Sequence, residues 1–176
     1  MSMKPEPLQN GLPRQGSGLS ASVCATATPV SFASIDVQQA KECIRKWHYA
    51  RYLGRGQQYY GAYLGTQLVS CAVFDDTNCS APRVTEFMAH GRDPEIPQKA
   101  FQVSQLLSYC CKQLKPDFDL IRTYCETARG IGSVFKGSSW FYSGIDGPYH
   151  LYWKALSPSG VNLACQLGLK SLKYPT

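Results

Sequence analysis

A mixed α/β (α+β) domain, with a central sheet flanked by helices, follows from three features of this sequence. Short apolar runs bounded by Gly and Pro recur along the chain, as strands do. One helical segment opens with a capping box, and another carries the longest apolar repeat in the chain. Order begins at Val30-Ser-Phe32-Ala-Ser-Ile35, an alternating strand. Asp36 then caps a helix with Gln39 three residues on, and Val37, Ala40, Cys43, Ile44 and Trp47 line one face. That helix gives out near Trp47-His48-Tyr49, and Gly54 and Gly56 mark a loop. Residues 59–64 and 67–74, joined by Gly65-Thr66, read as a β-hairpin, and residues 83–90 as the next strand.

The strongest helix signal starts at Pro97. Val103, Leu106, Leu107, Cys110, Cys111 and Leu114 fall at i, i+3, i+4, i+7, i+8 and i+11, and Pro116 ends the run. Residues 119–126 read as a strand, 130–140 as a short helix with a glycine-rich entry, and 141–144 as a returning strand. The remainder reads as a basic tail. The predicted order is β-α-β-β-β-α-β-α-β, without internal repeats.

With 176 residues the chain is about one domain long. Residues 1–29, rich in Pro, Gly, Ser, Ala and Thr, read as a flexible arm, leaving 30–176 as the domain. No run of about eighteen apolar residues exists, which excludes a membrane span, and no apolar stretch follows Lys4 as in a secretory signal. The eight cysteines contain no CxxC pair, so reduced structural thiols are expected rather than disulfides or structural zinc. Eighteen basic against twelve acidic residues give +6, a balance that permits a polyanionic partner.

The order of elements and the residues at their joints resemble the GNAT acyltransferase fold, with its central twisted mixed sheet. Within it the chain is similar to the phage DNA-modification proteins of the Mom family. The resemblance is carried by Lys46-Trp-His-Tyr49, Tyr60-Gly-Ala-Tyr63, the strand around Glu86, Gln102-Val-Ser104, Thr123-Tyr-Cys-Glu126, the stretch Gly130 to Gly144, and Gly160…Leu167-Gly-Leu169…Lys173-Tyr-Pro175. It runs from about residue 30 to the C-terminus. It implies an enzyme that converts the N6 amine of adenine in phage DNA to a carbamoylmethyl (glycinamide-like) form. That change hides the DNA from host restriction enzymes in the cytoplasm of an infected bacterium. Acetyl-CoA, or a related acyl or aminoacyl donor, and ferrous iron are associated with the family.

In the GNAT fold a V-shaped gap between the two central strands, here 83–90 and 119–126, admits the donor. The resemblance therefore implies Met88, Ala89 and His90 along the gap, and Gln98, Lys99 and Gln102 near the helix start, as donor-binding residues. The helix start lacks the glycines that let backbone approach a pyrophosphate closely, though free N–H groups there suit an anion. Phe135 stands where many GNAT enzymes carry a tyrosine that protonates the departing thiolate, and phenylalanine has no proton to give.

Catalytic candidates are His48, Tyr49, Glu126, Ser104 and Tyr124. His48 and Tyr49 lie where a helix meets a loop; imidazole serves as base or iron ligand, and a phenolate can also ligate iron. Adjacent helical residues point about 100° apart, so both reach one metal only if the helix has already unwound. Glu126 and Tyr124 share a strand face; the carboxylate can take the N6 proton, or it merely points to water. Ser104 binds substrate or faces solvent, and Glu86 suits a basic partner such as Arg51.

The expected DNA contacts are Arg51, Arg55, Trp140, Tyr142, Tyr149, Lys154, Lys170 and Lys173. Trp140 and Tyr142 stack on a flipped adenine from double-stranded DNA, or else fill the core. The basic residues among aromatics suit a phosphate backbone, or form an ordinary solvated surface. The competing activity is acetylation of a protein or small amine, and a third reading is a binding module without chemistry. The sequence leaves the oligomeric state open, a homodimer included.

Overall fold

The computed structural model describes residues 28–77, 79, 81–130 and 132–174. The expected N-terminal arm therefore lies almost wholly outside the described residues. The elements are β1 (Val30–Ser34), α1 (Val37–Trp47), β2 (Gln58–Leu64), β3 (Gln67–Asp75), β4 (Val84–Arg92), α2 (Val103–Leu114), β5 (Leu120–Glu126), a 3-10 turn (Thr127–Arg129), α3 (Ser133–Gly137), β6 (Phe141–Asp146), β7 (Tyr149–Ala155) and α4 (Pro158–Gln166).

All seven strands form one sheet in the order β1-β2-β3-β4-β5-β7-β6, antiparallel except for β4 beside β5. Alternation along each strand assigns the helices to faces. On β3, Cys71 and Val73 join Ala40, Cys43 and Ile44 of α1, whereas Ala72 and Phe74 join Leu106, Leu107 and Cys110 of α2. On β5 and β7, Leu120 and Trp153 pack on α4, whereas Ile121 and Tyr152 face the cluster containing α2 and Phe135 of α3. Helices therefore cover both faces. Among the described residues no helix is long and apolar enough to cross a membrane, and seven cysteines are free thiols.

The predicted capping box is present: the Asp36 carboxylate accepts from the Gln39 N–H (2.8 Å), and Gln39 Oε1 accepts from the Asp36 N–H (3.2 Å). Three sequence expectations need correction. First, α2 starts at Val103, six residues later than the Pro97 start. The guanidinium of Arg92 donates to the carbonyls of Asp93, Ile96 and Phe101, folding residues 93–101 into turns before the helix begins. Secondly, the supposed tail contains β7 and α4. Tyr149–Ala155 is covered on both faces, so its sequence shows no clean alternation; Ser157 caps α4 and Pro158 occupies its first turn. Thirdly, the helix expected over 130–140 is confined to Ser133–Gly137, and a separate 3-10 turn, Thr127–Arg129, precedes it.

The start of α4 is pressed against β5: a Cβ at Gly160 would lie 2.0 Å from the Asp119 carbonyl oxygen, whereas one at Gly137 meets nothing within 4 Å. Gly160→Ala should therefore lower stability by about 1–3 kcal/mol, as overpacking does, seen as a Tm loss of several degrees. Gly137→Ala should leave the thermal melt unchanged.

Candidate active site

The site begins with a break in the sheet. β4 and β5 pair only from Val84↔Leu120 to Phe87↔Thr123, although they run on to Arg92 and Glu126. Beyond that point β4 follows β3, with Arg92 opposite Ser70, and β5 follows β7, with Glu126 opposite Tyr149. Met88 is an extra residue on β4, since Val73 faces Ala89 while Phe74 faces Phe87; such a bulge bends its strand. At the fork the Thr123 hydroxyl donates to the Phe87 carbonyl (2.8 Å), satisfying the last acceptor before the strands part.

The fork opens a cavity of about 400 Å³, lined from β4 by Met88, Ala89 and His90 and from β5 by Tyr124, Cys125 and Glu126. His48, Tyr49 and Phe135 also line it. α1 has ended at Trp47, and His48 is its C-cap with extended backbone (φ −92°, ψ 142°), so both adjacent side chains turn toward the opening. Their rings stand 4.2 Å apart, centre to centre, and His48 lies 6.5 Å from His90. Arg129, past the end of β5, lies over the Tyr49 ring at 4.4 Å and pairs with Glu126 at 3.3 Å. It thus ties the end of α1 to the end of β5.

These surroundings fix protonation. Burial, then the charge of Arg129, pushes the His48 imidazole below its usual pKa. Its Nδ1 accepts from the Ala50 N–H (3.3 Å), so the neutral ring carries its hydrogen on Nε2 and is a donor at that atom. His90 is pushed down to about 4 by burial and by the neighbouring His48. Burial likewise raises the Tyr49 and Tyr124 hydroxyls, which keep their protons at neutral pH.

Two further cavities adjoin. One, of about 310 Å³, lies at the N-terminus of α2 and is lined by Arg92, Gln98, Gln102 and Ser104, meeting the fork cavity at Ser133 and Val134. The other, of about 580 Å³, shares Tyr49, Phe87, Met88 and Tyr124 with the fork cavity and adds Glu86, Asp146 and Tyr149. A ligand could therefore run from the α2 N-terminus, where free N–H groups and Arg92 favour an anion, to the fork. A second reactant would meet it across Tyr49 and Tyr124.

The structure brings together His48, Tyr49, Tyr124, Glu126, Met88, Ala89 and His90 around the fork, and Gln98, Gln102 and Ser104 at the helix entry. Ser104 thus lies among residues of the entry cavity and away from the catalytic cluster. Lys99 is exposed and does not line that cavity, although its neighbour Gln98 does. Trp140 and Tyr142 are core residues, only 3% and 7% exposed, packed among Phe87, Phe135 and Tyr152; they present no face for a base. Lys154 turns its ammonium to the Ser138 carbonyl (2.7 Å). Glu86 pairs with Arg122 at 3.3 Å, not with Arg51. Arg55 is 3.9 Å from Asp75. Arg51, Tyr149, Lys170 and Lys173 are exposed. Sequence reasoning missed Arg92 and Arg129, whose roles depend on partners distant in sequence or on a turn that the sequence does not announce.

For iron, His48 and Tyr49 face one cavity, but among the described residues no three His, Cys, Asp or Glu side chains converge on one point. No step below runs through iron.

A forked sheet with a cavity leading from a helix N-terminus defines a GNAT-type transferase fold. Solved structures agree: a PaiA N-acetyltransferase from Thermoplasma acidophilum in complex with coenzyme A is similar with TM-score 0.57 and 15% identity, covering 72% of this chain and 99% of that one. A ribosomal-protein-S18-alanine N-acetyltransferase from Escherichia coli is similar at 0.55 and 10%, covering 76% and 98%. A GNAT-family acetyltransferase from Bacillus cereus is similar at 0.54 and 13%, covering 72% and 97%. A comparison with curated proteins finds no match. The model of the Mom protein family matches residues 29–152, and the chain belongs to that family.

His90 gives a stability test. Its folded pKa, about 4, lies below the unfolded value of about 6.5. The unfolded chain thus binds a proton first as pH falls, and stability is lost between pH 6.5 and 4, by up to about 3 kcal/mol. Urea titrations should show this loss, and His90→Gln should flatten it. An unchanged pH slope in the variant would assign the effect elsewhere.

Proposed function

We propose that this chain is a transferase that modifies the exocyclic N6 of adenine in double-stranded DNA, to the carbamoylmethyl form that the family resemblance implies. In a phage-infected bacterium such a change would shield phage DNA from restriction. The observation that carries the reading is the pair of cavities meeting at Tyr49 and Tyr124, one continuous with a helix N-terminus and the other walled by tyrosines and carboxylates.

An acyl-CoA or related donor fits the first cavity: Arg92, Gln98, Gln102 and the first N–H groups of α2 would hold its pyrophosphate, and Met88, Ala89 and His90 would flank its arm. A glycyl thioester would supply an activated carbonyl with the needed nitrogen: N6 forms the new N–C bond, the C–S bond breaks and the thiol leaves, so that the added group has the same atoms as carbamoylmethyl. The second cavity suits a flat ring bearing an amine. The rings of Tyr49, Tyr124 and Tyr149 offer faces for stacking, and Glu86 and Asp146 accept from N–H groups. Adenine N6 reaches such a place only when its nucleotide is turned out of the duplex.

The N6 lone pair is delocalised into the purine, so attack needs a base for the departing proton. Glu126, which lines the fork cavity with Tyr49 and Tyr124, would take it. His48 presents Nε2–H, suited to hold a carbonyl oxygen as charge develops there. Phe135 donates nothing, and Tyr124, protonated and, like Tyr49, lining both cavities, would supply the proton to the donor's leaving group.

One observation favours a second reading. Two carboxylates in the acceptor cavity also suit a protein or small-molecule ammonium group, which would make the chain an N-acetyltransferase.

Expression in a bacterium should produce a heavier deoxyadenosine on nucleoside mass spectrometry. His48→Ala and Tyr124→Phe should each reduce it roughly a hundredfold or more, the scale of a lost oxyanion donor or proton source, while leaving DNA binding intact. Ordinary deoxyadenosine alone, with the protein folded and acetyl-CoA consumed on simple amines, would support the second reading.

A further inference from the structure

We propose that Tyr52 is a wedge that enters a nucleic-acid duplex and fills the space left by the extruded base. This rests on the nucleobase reading above. Tyr52 is 75% exposed, the most exposed large hydrophobic side chain among the described residues. It sits in the connection between α1 and β2, which begins with His48 and Tyr49 of the site and contains Arg51 and Arg55 but no acidic residue.

The connection is built to present that ring. The Arg51 N–H donates to the His48 carbonyl (3.0 Å), and Arg51 has φ 53°, a left-handed turn that redirects the chain immediately before Tyr52. Leu53, the next residue, packs into the cluster beneath α1, anchoring the loop from below. Gly54 leaves room for the ring, since a Cβ there would lie 3.2 Å from Tyr52 Cε1. The ring is thus held above the surface by neighbours that bind inward.

Its surroundings select a polyanion with flat faces. Arg51 and Arg55 flank it in sequence, and Arg129 lies over Tyr49 three residues away. Base extrusion leaves an unstacked step, and apolar side chains commonly fill such steps while cations hold the adjacent phosphates. An aromatic ring beside arginines meets both needs, and no other large aromatic residue described near the mouth is as exposed.

The experiment uses duplexes carrying one 2-aminopurine flanked by each base in turn, with full-length wild type, Tyr52→Ala and Tyr52→Trp. Wild type and Tyr52→Trp should raise 2-aminopurine fluorescence, and Tyr52→Ala should not. On adenine duplexes Tyr52→Ala should lose roughly tenfold to a hundredfold in modification, the range of a lost base–aromatic stack. On single strands, which need no opening, it should stay within about twofold of wild type. Equal loss on duplex and single strand, or no loss on either, overturns the wedge. Wild type that opens the duplex yet forms no heavier nucleoside overturns the transferase reading alone, and the fluorescence contrast between Tyr52→Ala and Tyr52→Trp still decides the wedge.

Discussion

Everything at the site depends on two parallel strands that stop pairing after four residues. Parallel neighbours normally continue together because each unpaired backbone group costs free energy. Here each strand keeps its other partner, β4 with β3 and β5 with β7, so the ladder is given up on one side only. The bulge at Met88 bends β4 away, and the Thr123 hydroxyl closes the final carbonyl. The fork then lays open two strand edges whose peptide groups are free for a ligand, with side chains from α1, α3 and the 3-10 turn around them.

The helices make the fork usable. α2 delivers an anion-attracting N-terminus beside it, and Arg92 holds the preceding turns by three carbonyl contacts. α1 ends at the opening, and its cap directs His48 and Tyr49 inward. Arg129 joins Tyr49 to Glu126 across the mouth. An exposed ion pair of this kind contributes little stability. Its consequence is geometric, since one guanidinium sets the positions of two groups on different elements.

The sequence made the local devices legible and the long-range ones illegible. The Asp36–Gln39 box and the α1 face could be read because capping and helical periodicity involve residues three or four apart. The start of α2 could not, because Arg92 bonds to carbonyls up to nine residues away and overrides the helix-favouring Pro97. β7 was hidden by burial on both faces, which removes alternation, and α4 by a weak apolar stripe beside a glycine that the packing on Asp119 requires. At the site, His48, Tyr49, Tyr124 and Glu126, chosen by residue type, line one cavity. Trp140 and Tyr142 take the core, the second of the two places left open for them, since an aromatic side chain looks the same in sequence whether it stacks on a base or on Phe135.

The most direct test of the forked site is amide hydrogen exchange with and without coenzyme A. Protection should rise at residues 88–90 and 124–126 and at the first turn of α2, with β1 and α4 unaffected. Protection absent from both sides of the fork, or confined to a different surface, would contradict the account.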